Sequence, residues 1–232
     1  MIRGLSCQCS CSSPASPAAR GIGSAGGLTA TMGGYAALHN GLAPVVVIAD
    51  GTGSQFANPL CMDSRRGRAA TYLALDVPAW IKTHPQVDTE PRAWAVGGYS
   101  YGGTCSLQLA TNFPLVYPTF LDLSGDAEPS LGDRRDTISE LFGGDGAAFD
   151  RVAPLTLMTT HRYPATASAV VVGTDDATSR AAAATVIPVA RTAGINLEFL
   201  ELPGGRNFKV WTSVLARELE SITTRLGLDA DP

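Results

Sequence analysis

The chain is poor in histidine, with three among 232 residues: His39, His84 and His161. It is also poor in charge. Asp, Glu, Lys and Arg make up 16% of the residues and the net charge is -4, so no nucleic-acid or other polyanionic partner is expected. No stretch approaches the ~18 consecutive apolar residues of a membrane-spanning helix, and the N-terminus lacks the apolar core, about 7–15 residues long, of a secretory signal. Localisation is therefore left open. The glycines near position 50 are not followed by G-K-[ST], which argues against a phosphate cradle, and no cofactor is expected. The cysteines at Cys7, Cys9 and Cys11 lack the roughly two-to-four-residue spacing of zinc knuckles, so no metal site is expected either.

What is present is apolar: 45% of the residues, enough for a substantial core in one α/β domain. Residues 1–24, small and polar with no periodicity, read as a disordered Cys/Ser/Pro-rich tail. Leu5-Ser6-Cys7 there is not preceded by the hydrophobic region of a lipoprotein signal. Residues 25–232 read as the folded domain. A helix over Thr29–Asn40 leads to the run Pro44–Ala49, whose continuous β-branched residues suit a strand buried on both faces. A long loop from Asp50 to about Gly67 follows, carrying the solvated cluster Arg65, Arg66 and Arg68. The spacing of Tyr72, Leu73, Val77, Trp80 and Ile81 predicts a helix over Ala70–His84 with one face on the sheet. Further strands are expected at Thr119–Leu123, Ser168–Val172 and Asn196–Leu202, with helices at Thr178–Ala193 and Phe208–Leu226. The segment Gly125–Pro164 reads as an excursion over the sheet. Strands alternating with helices predict a parallel sheet.

The chemistry centres on Ala93–Ala110. An apolar strand runs into Gly98-Tyr99-Ser100-Tyr101-Gly102, a G-x-S-x-G nucleophile elbow, and a small-residue helix follows. Glycines leave room for the tight turn that displays Ser100 Oγ. Serine chemistry needs a base and an acid, in the chain order Ser, Asp or Glu, His on this kind of fold. For the acid, Asp176 is favoured with Asp175 as the alternative, both past the strand that ends at Gly173. The base position, after the last strand, reads Gly204-Gly205-Arg206-Asn207. Arg206 cannot act as base because a guanidinium stays protonated and accepts no proton. His39 and His84 read as helix ends, and His161 precedes the acid. The Tyr101 N–H is the expected oxyanion donor, and the Gly21–Gly27 stretch is the only candidate for a second. Cys61 and Cys105 each suit a buried small hydrophobe or a mutual bridge.

Gly97-Gly98-Tyr99-Ser100-Tyr101-Gly102-Gly103, the loop Ala49–Gly53, the run Asn58–Ser64 and the ending Glu201–Trp211 together resemble esterases of actinobacteria, α/β-hydrolases of the esterase D and mycolyltransferase type. The resemblance implies a three-layer sandwich with a mainly parallel sheet, here lacking the first strands, as in a shortened or differently started version of a longer protein. It implies Ser100 as nucleophile, the Asp175-Asp176 turn as acid, and a histidine where this chain has Arg206. Two readings follow: a serine carboxylic-ester hydrolase or acyltransferase of a small ester or acyl substrate, weakened at Arg206, and a non-catalytic relative with a binding or structural role. Relatives of this type are usually extracytoplasmic or membrane-anchored.

Overall fold

A computed structural model describes residues 4–7, 27–52, 58–84 and 87–228 of the chain. Short β-branched and small-residue runs form the strands β1 (Gly4–Cys7), β2 (Val45–Ile48), β5 (Trp94–Tyr99), β6 (Thr119–Leu123), β7 (Ala167–Gly173) and β8 (Asn196–Leu202). These six make one sheet in the order β2-β1-β5-β6-β7-β8, with every pair parallel. Two short strands, β3 (Asp63–Ser64) and β4 (Gly67–Arg68), form a separate antiparallel hairpin. Around them lie α1 (Leu28–Leu38), α2 (Ala69–Thr71), α3 (Val77–Thr83), α4 (Tyr101–Asn112), α5 (Arg134–Phe142), α6 (Gly146–Asp150), α7 (Pro154–Thr160), α8 (Ala177–Thr192) and α9 (Phe208–Arg225).

Side-chain alternation along the strands sorts the helices into two layers. Ala95, Tyr99, Leu121, Leu123, Ala169 and Val171 face α1 and α9, meeting Leu28, Trp211, Val214 and Leu215. Their neighbours Trp94, Val96, Phe120, Val170 and Val172 face the opposite way, onto Leu73, Val77 and Ile81 and onto Leu107, Met158 and Val186. Buried on both sides, β5 and β7 read as nearly continuous apolar or small-residue runs, WAVGGY and ASAVVVG. A third cluster, Leu60, Met62, Leu141, Phe149 and Ala153, ties the excursion to the loop before the β3–β4 hairpin.

Three sequence expectations change. The segment read as a tail contributes β1, which pairs with β2 on one side and β5 on the other, so a strand does precede the first helix. Four residues of mixed character, GLSC, give no periodic signal; the pairing is dictated by strand edges contributed from elsewhere in the chain. Cys9, Cys11 and the glycines 21–26 lie outside the described residues. Second, β2 is an edge strand in this sheet and only half-buried, with Ile48 exposed, so it is not covered on both faces. Third, Leu73, Val77 and Ile81 bury the inner face of the 69–83 helical segment, but Tyr72 and Trp80 lie outside it, exposed. That segment passes through a π turn at Tyr72–Asp76 just before Pro78, whose missing N–H cannot join the regular ladder.

His39 and His84 end helices, as expected, and His161 ends one as well. His39 follows α1, His84 follows α3 and His161 follows α7; His39 Nδ1 and His84 Nδ1 lie 2.8 Å from carbonyls one turn back.

The buried carboxyl of Asp122, on β6, is the most consequential polar group in the core. Its Oδ1 accepts from Gly125 N–H at 2.8 Å. A Cβ at Gly103 would collide with this same oxygen, so only glycine lets the start of α4 come so near β6. Burial pushes the Asp122 carboxyl up from 3.8 to about 7, with the Gly125 N–H opposing and the charge of Asp126 adding to the rise. Folding therefore favours the neutral acid. The associated stability is present below pH ~4 and is lost as pH rises towards 7, since the unfolded chain ionises freely. The melting temperature of Asp122→Asn minus that of wild type should accordingly increase between pH 4 and pH 8, measured by circular dichroism; a constant difference would contradict the burial account.

Candidate active site

Strand β5 and helix α4 meet at Ser100, whose φ of 56° and ψ of -119° place a non-glycine residue in a sparsely populated region. Such a conformation costs about 1–3 kcal/mol and persists only where its surroundings impose it. Here Ser100 N–H donates to Leu123 O at 2.7 Å, and Ser100 O accepts from Thr104 N–H at 3.1 Å. Thr104 Oγ1 in turn accepts from Asp126 N–H at 2.8 Å, which joins the exit loop of β6 to the first turn of α4. As the first residue of α4, Tyr101 has an N–H with no intrahelical partner.

Aromatic packing supports the turn from below. Tyr99 stacks on Trp211 at 4.1 Å and meets Phe208 edge-on at 4.9 Å, and Trp211 Nε1 donates to Ser124 Oγ at 3.3 Å. Asn207 caps α9 by accepting from Val210 N–H at 3.2 Å. Arg206 immediately precedes that cap and reaches the turn: its Nη2 donates to Ser100 Oγ at 3.0 Å and lies 3.7 Å from Asp126 Oδ1. Ser100 and Arg206 are thus brought together, 106 residues apart in the chain.

The acid candidates are placed differently. Asp176 is buried; its Oδ1 accepts from Ser179 N–H at 3.1 Å as the N-cap of α8, while Oδ2 is buried without a hydrogen-bond partner. Asp175 is exposed, and its N–H donates to Gly204 O at 2.9 Å. A Cβ at Gly173 would strike Gly204 O, so glycine is needed for the exit loops of β7 and β8 to lie this close. Among the described residues, the carboxylate paired with Arg206 is Asp126, not Asp175 or Asp176. Asp126 was the member the sequence reading missed; the signal available was its position two residues past Ser124, in the loop beside the elbow.

The opposite wall is a strap at residues 58–62. Cys61 and Cys105 form a disulfide between this strap and α4, with Cα atoms 5.5 Å apart. The Tyr101 hydroxyl accepts from Cys61 N–H at 3.2 Å, and burial pushes the phenol well above its usual range. Asn58 and Leu60 from the strap, Ser130 and Pro129 from the excursion, and Trp211 from α9 enclose a cleft of about 480 Å³ over Ser100, Tyr101 and Arg206. No cluster of His, Cys, Asp and Glu suited to a metal ion occurs among the described residues.

The fold and the elbow define an α/β-hydrolase. Residues 29–222 match the Esterase family, described as "Putative esterase", and the chain belongs to that family. It is 39% identical over 211 residues to the uncharacterized protein Cgl0967/cg1104 of Corynebacterium glutamicum, covering 88% of this chain and 50% of the relative, so the chain spans about half the length of that curated protein. Among solved structures, a ferulic acid esterase superposes with a TM-score of 0.74 at 14% identity, over 97% of this chain and 85% of the other. An S-formylglutathione hydrolase from Agrobacterium tumefaciens gives 0.74 at 16% identity with the same coverage. Mycobacterium tuberculosis MPT51 (FbpC1) gives 0.68 at 15% identity, over 97% and 90%. These likenesses show the fold.

Closing a loop of this length, 44 residues between the half-cystines, stabilises a domain by about 2–4 kcal/mol. Reduction, or the double change Cys61→Ser with Cys105→Ser, should lower the melting temperature by several degrees, read by calorimetry with and without reductant. An unchanged melting temperature would show that the strap is held by other contacts.

Proposed function

We propose that the chain is a serine esterase or acyltransferase relative in which Ser100 stands at the nucleophile position and acyl transfer is weakened because Arg206 stands at the position of the base. The observation that carries this reading is the Arg206 Nη2 to Ser100 Oγ hydrogen bond. The guanidinium donates to the oxygen that a base would have to deprotonate, and it has no lone pair with which to accept that proton. It does favour a Ser100 alkoxide electrostatically, but among the described residues no side chain accepts from the Ser100 hydroxyl, and the proton must leave to water. The Tyr101 N–H remains available to an oxyanion. Asp176, in the acid role, has a free buried oxygen but no base to orient. The substrate class is a small ester or acyl group, in keeping with the esterase family and with the cleft.

The same hydrogen bond favours a second reading, in which the cleft binds an acyl compound without turning it over. Loss of a triad member leaves about 10³–10⁴-fold acceleration over water from binding and the oxyanion donors, and loss of positioned substrate would leave less.

Hydrolysis of p-nitrophenyl acetate and butyrate by wild type, Ser100→Ala and Arg206→His tests both. Wild type should be slow, Ser100→Ala should abolish what remains, and Arg206→His should gain at least about tenfold by restoring a group that can accept the proton. Fast wild-type turnover that Ser100→Ala abolishes would mean that another base serves Ser100. Slow turnover unaffected by Ser100→Ala would leave the binding reading.

A further inference from the structure

We infer that the cleft over Ser100 holds the carboxylate of a small organic acid with an apolar or aromatic body, in preference to the neutral ester. The inference rests on the reading of this cleft as an acyl site and names the charge state of its ligand.

The donors converge from three elements. Arg206 comes from the loop before α9, the Ser100 hydroxyl from the elbow and the Tyr101 N–H from the start of α4. Because Ser100 Oγ already accepts from Arg206 at 3.0 Å, its O–H is turned to donate elsewhere, and the space beside it is the cleft. Arg206 spends one N–H on Ser100 and keeps others in a planar fork that matches a carboxylate. The first N–H groups of α4 add the positive end of a twelve-residue helix to the same spot, as a supplement to the two side chains. In an intact triad the corresponding group is an imidazole that is neutral at rest, and a carboxylate product gains little there. A permanent cation changes the preference. The ester keeps the hydrogen bonds but forfeits the charge, and a charge-assisted bond is roughly twice as strong as a neutral one.

The remaining walls suit the rest of such a ligand. Leu60, Pro129 and Trp211 supply apolar surface, and about 480 Å³ is within the ordinary range for small-molecule sites. The carboxylate beside Arg206 opposes the ligand. Asp126 Oδ1 lies 3.7 Å from Arg206 Nη2 and competes for it, although its side chain is half exposed and so well screened. Removing that charge should therefore help an incoming anion.

The test is isothermal titration of the folded protein at pH 7.5 with benzoate, hexanoate, methyl benzoate and inorganic phosphate, on wild type, Arg206→Gln and Asp126→Asn, with melting temperatures checked for each. Benzoate or hexanoate should bind at least tenfold more tightly than methyl benzoate. Arg206→Gln, which keeps a donor but not the charge, should erase that preference, Asp126→Asn should tighten carboxylate binding several-fold, and added salt should weaken it. Equal binding of acid and ester, a preference that survives Arg206→Gln, weaker carboxylate binding by Asp126→Asn, or phosphate binding as tight as benzoate would each overturn the inference. Ser100-dependent hydrolysis of p-nitrophenyl butyrate on the same samples separates the two levels. If it persists while the acid preference is absent, the carboxylate inference fails and the acyl-site reading stands. If neither acid nor ester binds and no Ser100-dependent hydrolysis occurs, the acyl-site reading itself fails.

Discussion

The hydrogen bond from Arg206 to Ser100 Oγ is the contact that gives this site its character. It depends on a turn held against its own preference. Ser100 sits at φ 56° because Leu123 O takes its N–H on one side and Thr104 takes its carbonyl on the other, with the Tyr99–Trp211 stack fixed underneath. Arg206 depends on the same scaffold, since Asn207 starts α9 and Trp211, one turn along, packs against the elbow strand. The residue that displays the serine and the residue that grips it are thus positioned by one aromatic cluster.

Charge around the turn is arranged in a short series. Arg206 faces Ser100 and Asp126, and Asp122 lies buried behind them, raised by burial and by Asp126 and lowered by Arg206. A guanidinium in this place partly offsets the negative potential from two carboxyl groups near the elbow. An imidazole that must pass a proton to and fro would change that balance at each step. Arg206 holds it constant, which suits retention of an anion better than general base catalysis.

Much of the frame was legible in the residues. Strand, elbow and helix over Ala93–Ala110 follow from a buried run, a glycine-flanked serine and small helix-forming residues, and β5, Ser100 and α4 appear where that pattern puts them. Arg206 was legible as a residue of the loop after the last strand, and that loop does carry it to Ser100. Its partner Asp126 was not. Arg206 lies in the loop after β8 and Asp126 in the loop after β6, strands separated by β7, so their meeting depends on sheet order, which no local pattern reveals. Likewise GLSC shows nothing strand-like by itself, and its place between β2 and β5 comes from long-range pairing. The exposure of Ile48 follows from the position of β2 at the sheet edge, another property of order rather than of composition.

The central claim is that Ser100 has a donor at its oxygen and, among the described residues, no base placed to take its proton. The pH dependence of covalent labelling of Ser100 by an alkyl fluorophosphonate, followed by intact-mass spectrometry between pH 5 and pH 9, tests it most directly. The account predicts slow labelling with no step near the histidine range, because no histidine lines the cleft around Ser100 among the described residues. Rapid labelling that rises with a midpoint near pH 6–7 and keeps that midpoint in Asp122→Asn, whose wild-type carboxyl is itself pushed up to about 7, would contradict it, showing that a base reaches the serine after all.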